Sequence, residues 1–402
     1  MAQPSVYQQI FDYAHRANPW PLYAELRKTP VIREEDGTYV VSTYREIVAL
    51  LHDPRLGSVP LGADGLAPSF IRLNPPEHDR VRRMLTRHFG PPHSPRRIDG
   101  MVPELVEIVT GLIDDFAGRT QVDLVDDFAY PFPVTVICQL LGVPREDEPR
   151  FHVWADAVVE AVGVLGEAST ELRVRSDQAL LELGAYLAEL ADAHSKEPGD
   201  DLLSALATDD GPEGRLSRDE LMSNAALLLI AGHETTVNLI TNGMLTLLRH
   251  PGVLARLRDD PALAVPVVEE LLRYEPTVQF LTNRRAIDDI DIAGITIEKG
   301  SPVTLMLAAG SRDPHHVPDA DRFDPDRLRN EHLGFGGGIH YCFGAPLARL
   351  EAQIALAELA HRLENPRLVT DPPPYRPNPL LRGPRHLQVE FDHVSSARVS
   401  AG

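Results

Sequence analysis

A fifteen-residue stretch around one cysteine constrains this sequence more than any other feature. Cys342, one of only two cysteines in 402 residues, follows a run of three glycines and precedes Gly344 and Pro346. Glycine adopts backbone conformations that other residues avoid, and it lets a flat ligand approach the chain closely. Because Pro346 is tolerated in a first helical turn and 347–360 repeats apolar residues at helical spacing, Cys342 is expected just before a helix. A helix N-terminus favours a thiolate, which is a good metal ligand.

Composition and charge exclude several classes of protein. Two distant cysteines without a C-x-x-C motif exclude a disulfide scaffold and a zinc ribbon, and Cys138 in an apolar run is interpreted as core. A net charge of −20 argues against nucleic acid as a partner. No stretch reaches the roughly 18 consecutive apolar residues of a membrane span, and the N-terminus lacks the pattern of a signal peptide. We therefore expect a cytoplasmic, monomeric protein that does not associate with membranes.

The spacing around Cys342 resembles the haem-binding signature of the cytochrome P-450 family. The matching positions are Phe335, Gly336, His340, Cys342, Gly344 and Ala348. The resemblance implies that Cys342 is the axial thiolate of the iron in haem b, iron protoporphyrin IX, and that the other residues shape the cofactor-binding loop. The simpler interpretation, a small buried cysteine on a turn, leaves this spacing unexplained.

A long predicted helix carries the second motif. A capping box begins this helix at Ser217, and its apolar pattern continues to about residue 250. Within it, the segment 231–236 interrupts an apolar run with a glycine, an acid and two threonines, although a helix in the core gains nothing from burying Glu234. The resemblance implies that the helix opens locally beside the haem at Ala231. Thr235 would then hydrogen-bond the dioxygen being reduced, and Glu234 would pass protons by way of water.

Basic residues in two segments are candidates for contacts with the haem propionates. His78 and Arg82 lie four residues apart, and therefore on one face, of a helix predicted over 75–89. Taken alone, this pair fits a solvated basic surface, but the resemblance implies that it reaches the propionates. Alignment to the family assigns a third contact to Arg284. Arg285 remains the competing choice.

Glu270 and Arg273 stand three residues apart on another predicted helix. Such a pair is common on exposed helices and adds little stability there. Its position between the long helix and the cysteine loop resembles the E-x-x-R motif of the family, which implies a buried network completed by Arg322. That network is expected to hold the cysteine loop and to have no catalytic part.

The segments that line the substrate pocket in the family are nearly all apolar in this chain. The candidate lining residues are Leu66, Phe70, Leu228, His233, Gln279, Phe280 and Leu381. No lysine or arginine is placed among them to bind a carboxylate or phosphate. A lipophilic substrate is expected, such as a steroid, a terpenoid or a macrolide-like natural product.

A cluster of arginines near the propionate-binding helix stands out in an acidic chain. Its members are Arg80, Arg83, Arg87, Arg96 and Arg97. One hypothesis is that the cluster steers an acidic ferredoxin, which with its reductase would supply electrons from NAD(P)H. The alternative is a set of unrelated, solvated arginines.

The resemblance covers nearly the whole chain and implies one mainly helical domain over 1–402. Small β-rich parts are expected at about 28–42 and 284–305, with the haem between the long helix and the cysteine loop. The implied activity is that of a bacterial monooxygenase of EC 1.14 type in secondary metabolism, which consumes dioxygen, two electrons and two protons. A peroxide-driven haem-thiolate enzyme and a non-catalytic sensor or ligand carrier are the alternatives, and neither needs a proton relay.

Overall fold

A computed structural model describes residues 3–58, 68–89, 98–161 and 170–397 of the chain. The helices in this part are α1 (Val6–Gln9), α2 (Trp20–Leu26), α3 (Tyr44–Leu51), α4 (Glu77–Phe89), α5 (Val102–Asp114), α6 (Pro131–Leu141), α7 (Glu148–Ala161), α8 (Thr170–Lys196), α9 (Leu202–Thr208), α10 (Arg218–Arg249), α11 (Pro251–Asp259), α12 (Ala264–Tyr274), α13 (Leu307–Ser311) and α14 (Ala345–Arg362). The fold is therefore mainly helical, as the sequence predicts. Leu66, Arg96 and Arg97 lie outside the described residues.

Short strands form three small sheets. The strands are β1 (Val31–Arg33), β2 (Tyr39–Val41), β3 (Leu56–Ser58), β4 (Gln121–Asp123), β5 (Leu281–Ala286), β6 (Ile290–Ile292), β7 (Ile295–Ile297), β8 (Pro302–Leu305), β9 (Arg367–Leu368) and β10 (Gln388–Glu390). One sheet has the order β1-β2-β8-β5-β3, with β2 and β8 parallel, and so joins the two β-rich parts predicted from the sequence. Strands β1 and β2 pair as an antiparallel hairpin, with Gly37 at φ 88° in the turn between them.

The long helix α10 is the central element of the fold. Ser217 and Glu220 form the predicted capping box, and the helix continues for 32 residues without a break. Helices α6, α8 and α14 pack against it. Because its apolar residues lie on most sides, this helix is stable only where neighbours cover it on most sides. The local opening expected near Ala231 is not present, since α-helical structure runs through that point.

The C-terminal region is divided between a strand in a sheet and a separate turn. Strand β10 pairs with β4 and β9 instead of with the segment at 379–383. That segment is placed by isolated bridges, one joining Leu381 to Val278 and another joining Tyr375 to Pro384. The C-terminal turn therefore contacts the β5 region, at the edge of the cavity described below.

Candidate active site

The cysteine loop ends where α14 begins, as predicted. Helix α14 begins at Ala345, three residues after Cys342, and Pro346 lies in its first turn. Gly336 and Gly338 have φ of 67° and 63°, which only glycine adopts at little cost. A Cβ atom on Gly338 would lie 1.9 Å from the Leu51 carbonyl oxygen, so no other residue fits there.

The loop is closed by its own backbone. The Cys342 N–H donates to the Phe335 carbonyl oxygen at 3.0 Å, which fixes the two ends of the glycine-rich turn. Burial raises the pKa of the Cys342 thiol above its ordinary value, while the N–H groups of Gly344 and Ala345 and the guanidinium of Arg82 oppose that rise. The helix terminus alone therefore does not favour a thiolate in this protein. A bound metal ion, which deprotonates a coordinating thiol, would supply what the terminus lacks.

One face of α10 and the cysteine loop bound a cavity. The α10 residues on this wall are Leu227, Leu228, Ala231, Gly232, Thr235, Thr236 and Leu239. They recur at three- and four-residue intervals, as one face of an α-helix requires. Cys342, Gly344 and Ala348 line this cavity too. The two motifs that the sequence singled out therefore line the same cavity.

Thr235 lies on the cavity wall, and its hydroxyl donates to the Ala231 carbonyl oxygen at 2.7 Å. Glu234 does not lie there. Its side chain is 1% exposed, with Oε1 2.9 Å from Arg376 Nε and 3.0 Å from the Asn238 amide nitrogen, which donates to it. The Arg376 Nε–H is not directed along that line, so the contact is an ion pair and not a hydrogen bond.

The position of Glu234 corrects the expected proton relay. Each residue of an α-helix is rotated by about 100° from the last, so the residue before Thr235 faces a different neighbour. Burial raises the pKa of Glu234, and Arg376 and Asn238 oppose that shift. In this geometry the acid of the predicted pair contacts the C-terminal region and not the cavity.

A different carboxyl group lies on the cavity wall. Glu351, on α14, is 3% exposed, lines the cavity and has the Thr236 side chain as its hydrogen-bond partner. Burial raises the pKa of Glu351 to about 8. Sequence reasoning missed this residue, although an acid in the apolar pattern of a buried helix is the same signal that singled out Glu234.

Four basic side chains cluster at one end of the cavity. Arg82, Arg284 and His340 line it, and the ring of His78 lies edge-on to that of His340, with centroids 4.6 Å apart. Arg284 Nη1 donates to Ser58 Oγ at 2.5 Å, and Ser58 Oγ lies 3.2 Å from His340 Nε2. Burial, with the nearby positive charges, lowers the pKa of His340 to about 3, and burial lowers that of Arg284 to about 10.

This cluster has donor atoms without acceptors. His78 Nε2, Arg82 Nη1 and His340 Nδ1 are buried and make no hydrogen bond within the described chain. Buried polar atoms normally have partners, so unpaired donors beside uncompensated arginines fit an anionic ligand. The carboxylates of a haem would satisfy them, and Cys342 supplies the soft sulfur ligand that iron accepts. The residues present therefore fit a haem.

Arg284 and Arg285, the two alternatives from the sequence, point to opposite sides of β5. The Arg284 residue is 6% exposed and faces the cavity. Arg285 is exposed and donates to the Gly300 carbonyl oxygen at 2.7 Å. Because side chains alternate along a strand, only one of two successive residues can reach the cluster, and it is Arg284.

The buried network below the cysteine loop contains Glu270 and Arg273, as expected, but not Arg322. Arg273 donates to both oxygens of Glu270, at 2.8 and 2.7 Å, and neither side chain has exposed surface. The third member is Arg327, with Nε 3.1 Å from Glu270 Oε1. The Arg322 side chain is 70% exposed, and only its carbonyl oxygen takes part, as an acceptor from Arg273 and Arg327.

A second network beside it was not predicted. Arg349 donates to both oxygens of Glu269, at 2.6 and 3.1 Å, and to the Tyr341 hydroxyl at 3.0 Å. His332 Nε2 lies 3.2 Å from Glu269 Oε2. Burial opposes ionisation of Glu269, but the hydrogen bonds from His332 and Arg349 lower its pKa to about 2. The residues before and after the cysteine loop are thus joined through one carboxylate.

The structure divides the candidate substrate-pocket residues. Phe70 and Leu228 line the cavity. His233 is not among the described lining residues and lies edge-on to the Tyr130 ring, with centroids 4.5 Å apart. Leu381 is not among the described lining residues either, but it pairs with Val278, which lines the cavity.

Gln279 and Phe280 are also corrected. Gln279 is fully buried, accepts from the Tyr23 hydroxyl at 2.9 Å and donates to a backbone carbonyl. Phe280, also fully buried, packs edge-on against Phe11 in a separate core cluster. Both side chains therefore support the fold and are not among the described lining residues of the cavity. Thr277 and Asn283 are polar residues that line it instead.

The arginine cluster on α4 is largely neutralised within the chain. Arg80 pairs with Glu77 and Glu220, and Arg83 pairs with Glu213. Arg87 pairs with Asp209 and Glu213. These contacts leave little free positive charge for a partner. The alternative of unrelated arginines is the better description of the three that the structure describes.

Comparisons with known proteins agree with this site. The Cytochrome P450 family model matches residues 178–391. Cytochrome P450 monooxygenase PikC of Streptomyces venezuelae is 40% identical over 93% of this chain and 91% of its own. Vitamin D(3) 25-hydroxylase of Pseudonocardia autotrophica is 38% identical over 94% and 95%. Ligand-free CYP164A2 of Mycobacterium smegmatis superposes with a TM-score of 0.88 at 39% identity, covering 96% of this chain and 99% of the other.

The fold and the cysteine-walled cavity define a haem-thiolate class of oxidoreductase. The chain belongs to the cytochrome P450 family and is a bacterial P450 monooxygenase of EC 1.14 type. Members of this family use haem iron and dioxygen. Within the described residues, the helices lack the length and apolar character that crossing a bilayer requires.

Proposed function

We propose that this protein inserts one oxygen atom from dioxygen into a lipophilic small molecule held in the cavity between α10 and the cysteine loop. The observation that carries the proposal is that Cys342 and Thr235 line one cavity, at whose basic end buried nitrogens of His78, Arg82 and His340 have no hydrogen-bond partner among the described residues. Cys342 would bind the iron, and His78, Arg82, Arg284 and His340 would bind the two propionates of haem b. When bound, a thiolate-ligated haem supplies the activation of dioxygen.

The side chains of the chain supply orientation and protons. The Thr235 hydroxyl lies on the cavity wall, where it can leave its bond to Ala231 and donate toward oxygen. Phe335 and Gly336 close the cofactor loop, and Gly344 and Ala348 let the backbone approach the ligand. The networks of Glu270 and Glu269 fix the loop, so that the position of the sulfur does not depend on exposed contacts.

The substrate class follows from the wall of the cavity beyond the basic end. Phe70, Leu228, Val278 and Leu281 are apolar, and Asn283 and Thr277 are uncharged. Burial of apolar area at ~25 cal/mol per Å² would therefore supply most of the binding free energy. This supports a steroid, a terpenoid or a macrolide-like product as substrate, and the name of the vitamin D(3) hydroxylase relative points the same way.

The electron supply is also part of the proposal. A ferredoxin and its NAD(P)H-dependent reductase are proposed as donors, with the protein acting as a cytoplasmic monomer. The expected steering cluster on α4 gives no support to a particular docking surface, because its described arginines are paired internally.

The test uses the purified holoenzyme. Reduction under carbon monoxide should give the long-wavelength Soret band of a thiolate-ligated haem, and Cys342→His should abolish it. Substrate-dependent NADPH use with a ferredoxin and reductase, with oxygenated product, separates the enzyme from a sensor or ligand carrier. Product formed equally well from peroxide without the electron donors would favour the peroxide-driven alternative. A band that persisted in Cys342→His would contradict the assignment of the sulfur.

The substrate class has its own matched pair of variants. Phe70→Leu changes an aromatic ring on the cavity wall, whereas Phe280→Leu makes the same change in a separate core cluster. Spectral titration with a panel of steroids and macrolides should show weaker binding for Phe70→Leu alone. Tightest binding of small anions or free amino acids would contradict the proposed class.

A further inference from the structure

One charged side chain lies against both ends of the cysteine loop. The guanidinium carbon of Arg349 is 4.6 Å from the centroid of the Phe335 ring, and its Nη1 donates to the Tyr341 hydroxyl at 3.0 Å. The Phe335 carbonyl oxygen accepts from the Cys342 N–H, and Tyr341 directly precedes Cys342 in the chain. Arg349 therefore contacts the two residues that hold the proposed iron ligand. It is not among the described residues that line the cavity, so it acts on the site from outside.

A carboxylate on α12 fixes the position of Arg349. Nε and Nη2 of Arg349 donate to the two oxygens of Glu269, at 2.6 and 3.1 Å, and such bidentate pairing fixes the plane of the guanidinium. The Gly334 N–H donates to His332 Nδ1 at 3.1 Å, so Nε2 carries the ring proton and donates to Glu269. The imidazole is then neutral, and the charge of Glu269 is left to balance that of Arg349.

The charge of Arg349 is felt at the sulfur of Cys342. Burial raises the pKa of the Cys342 thiol, and the charges of Arg82 and Arg349 are among the influences that oppose this rise. Arg82 lies at the basic end of the cavity, where a propionate would balance it, whereas Glu269 balances Arg349 within the protein. Reduction of a bound haem adds one negative charge to the iron and its thiolate. A nearby positive charge therefore favours reduction, and a nearby negative charge opposes it.

We propose that Arg349 and Glu269 act through Cys342 to set the reduction potential of the haem, with Arg349 raising the potential and Glu269 lowering it. This inference rests on the proposed monooxygenase function. Each residue is a positioning residue, because neither touches the cavity. The electron comes from the proposed ferredoxin, and neither residue is itself oxidised or reduced. The balance of the two charges holds the potential between the values that either charge alone would give.

The test is a potentiometric titration of the substrate-free holoenzyme, followed by its Soret band. Arg349→Gln leaves the Glu269 carboxylate unbalanced and should lower the equilibrium constant for reduction on the order of tenfold, which is ~59 mV for a one-electron couple. Glu269→Gln leaves the guanidinium unbalanced and should raise that constant by a similar factor. The double variant should return close to the parent potential. Arg349→Lys keeps the charge and should retain most of the parent potential.

A second ion pair of the same kind provides the control. The side chains of Arg258 and Glu364 are 25% and 28% exposed, close to the 28% and 27% of the pair at the cysteine loop. Arg258 also donates to the carbonyl oxygens of Ala360 and Leu363, at the far end of α14. Ala360 lies about 16 Å along the helix axis from Arg349, from the rise per residue of an α-helix. Arg258→Gln and Glu364→Gln should therefore keep the parent potential.

The outcomes distinguish this inference from the proposed function. If the parent protein lacks the thiolate carbon monoxide band, the monooxygenase site itself is wrong. If the band is present but the potential is unchanged in Arg349→Gln and Glu269→Gln, the inference is overturned while the proposed function stands. Shifts of the same sign in both variants would overturn it too, since they would indicate a loosened loop and not a charge effect. If Arg349→Gln loses its haem, Glu269→Gln decides alone, and only a raised potential supports the inference.

Discussion

Among the described residues, the carboxylates of Glu269 and Glu270 below the cysteine loop are paired with cations, whereas several polar groups on the cavity wall lack a countercharge or a hydrogen-bond partner. Glu270 accepts from Arg273 and Arg327, and Glu269 accepts from Arg349. In the described part of the cavity, the side-chain partner of Glu351 is the Thr236 hydroxyl, and one nitrogen each of His78, Arg82 and His340 has no hydrogen-bond partner. Satisfied networks fix a geometry, while unsatisfied groups mark where a ligand or a proton belongs. The comparison therefore separates residues that support the cysteine loop from residues available for binding and chemistry.

The largest loss of stability is expected from a variant that breaks the Glu270 network below the cysteine loop. Glu270→Gln leaves Arg273 buried without a countercharge, which costs about 3–5 kcal/mol. Denaturant titration should show this loss, together with poor haem retention. Arg322→Ala is the control, and it should stay within about 0.5 kcal/mol of the parent because its side chain is exposed. Equal losses in both variants would restore Arg322 to the network.

The two regions should also respond oppositely to pH. The folded protein keeps the Glu351 proton up to about 8 and the unfolded chain releases it near 4.5, so this group makes stability fall as pH rises between those values. By pH 7 the difference amounts to about 3 kcal/mol. Stability curves of Glu351→Gln should therefore lack that part of the decline. An unchanged slope would mean that Glu351 is ionised in the folded protein.

Glu269 provides the opposite case. Its folded pKa, about 2, lies below the ordinary 4.5, so its contribution is present above 4.5 and is lost as pH falls through 2. Glu269→Gln should lower stability at neutral pH and converge with the parent in acid. A constant difference at all pH values would show that the Arg349 contact is not the cause.

A smaller effect is expected at the basic end of the cavity. Arg284→Met would remove the charged hydrogen bond proposed to a haem propionate, worth about 1.5–3 kcal/mol, and should speed the transfer of haem to apomyoglobin. Arg285→Met alters the neighbouring, exposed residue and should leave the transfer rate unchanged. Faster transfer in Arg285→Met alone would reverse the choice between the two.

The smallest effect is expected from one hydroxyl on the central helix. Thr235→Ala should lower product per NADPH severalfold, because a hydrogen bond worth about 1 kcal/mol is lost, with peroxide increasing to match. Thr246→Ala is a control on the same helix, since Thr246 makes the same bond to a carbonyl four residues back and is not on the described cavity wall. Similar coupling in both variants would exclude Thr235 from the reaction.

The failures of sequence reasoning share one form. It assigned to Arg322 the position in the Glu270 network that Arg327 occupies, and it placed Phe280 and Gln279 on the cavity wall. In each case a neighbour in the sequence, or a nearby residue of the same type, occupies the expected place. A motif fixes which segment is involved, but the direction of each side chain depends on the rotation of its helix or the pleat of its strand.

The amino-acid sequence by itself determined the elements and their order. The capping box at Ser217, the positive-φ glycines at Gly336 and Gly338, and Pro346 at a helix start act through contacts within a few residues, so they can be read without the fold. Only the tertiary structure decided which buried acids meet cations and which do not. Glu234 and Arg376 are 142 positions apart, much further than the residues of a local motif. Their contact therefore depends on how distant segments pack. The same packing leaves Glu351 facing the cavity without a charge to balance it, because burial and partner distance are properties of the assembled core.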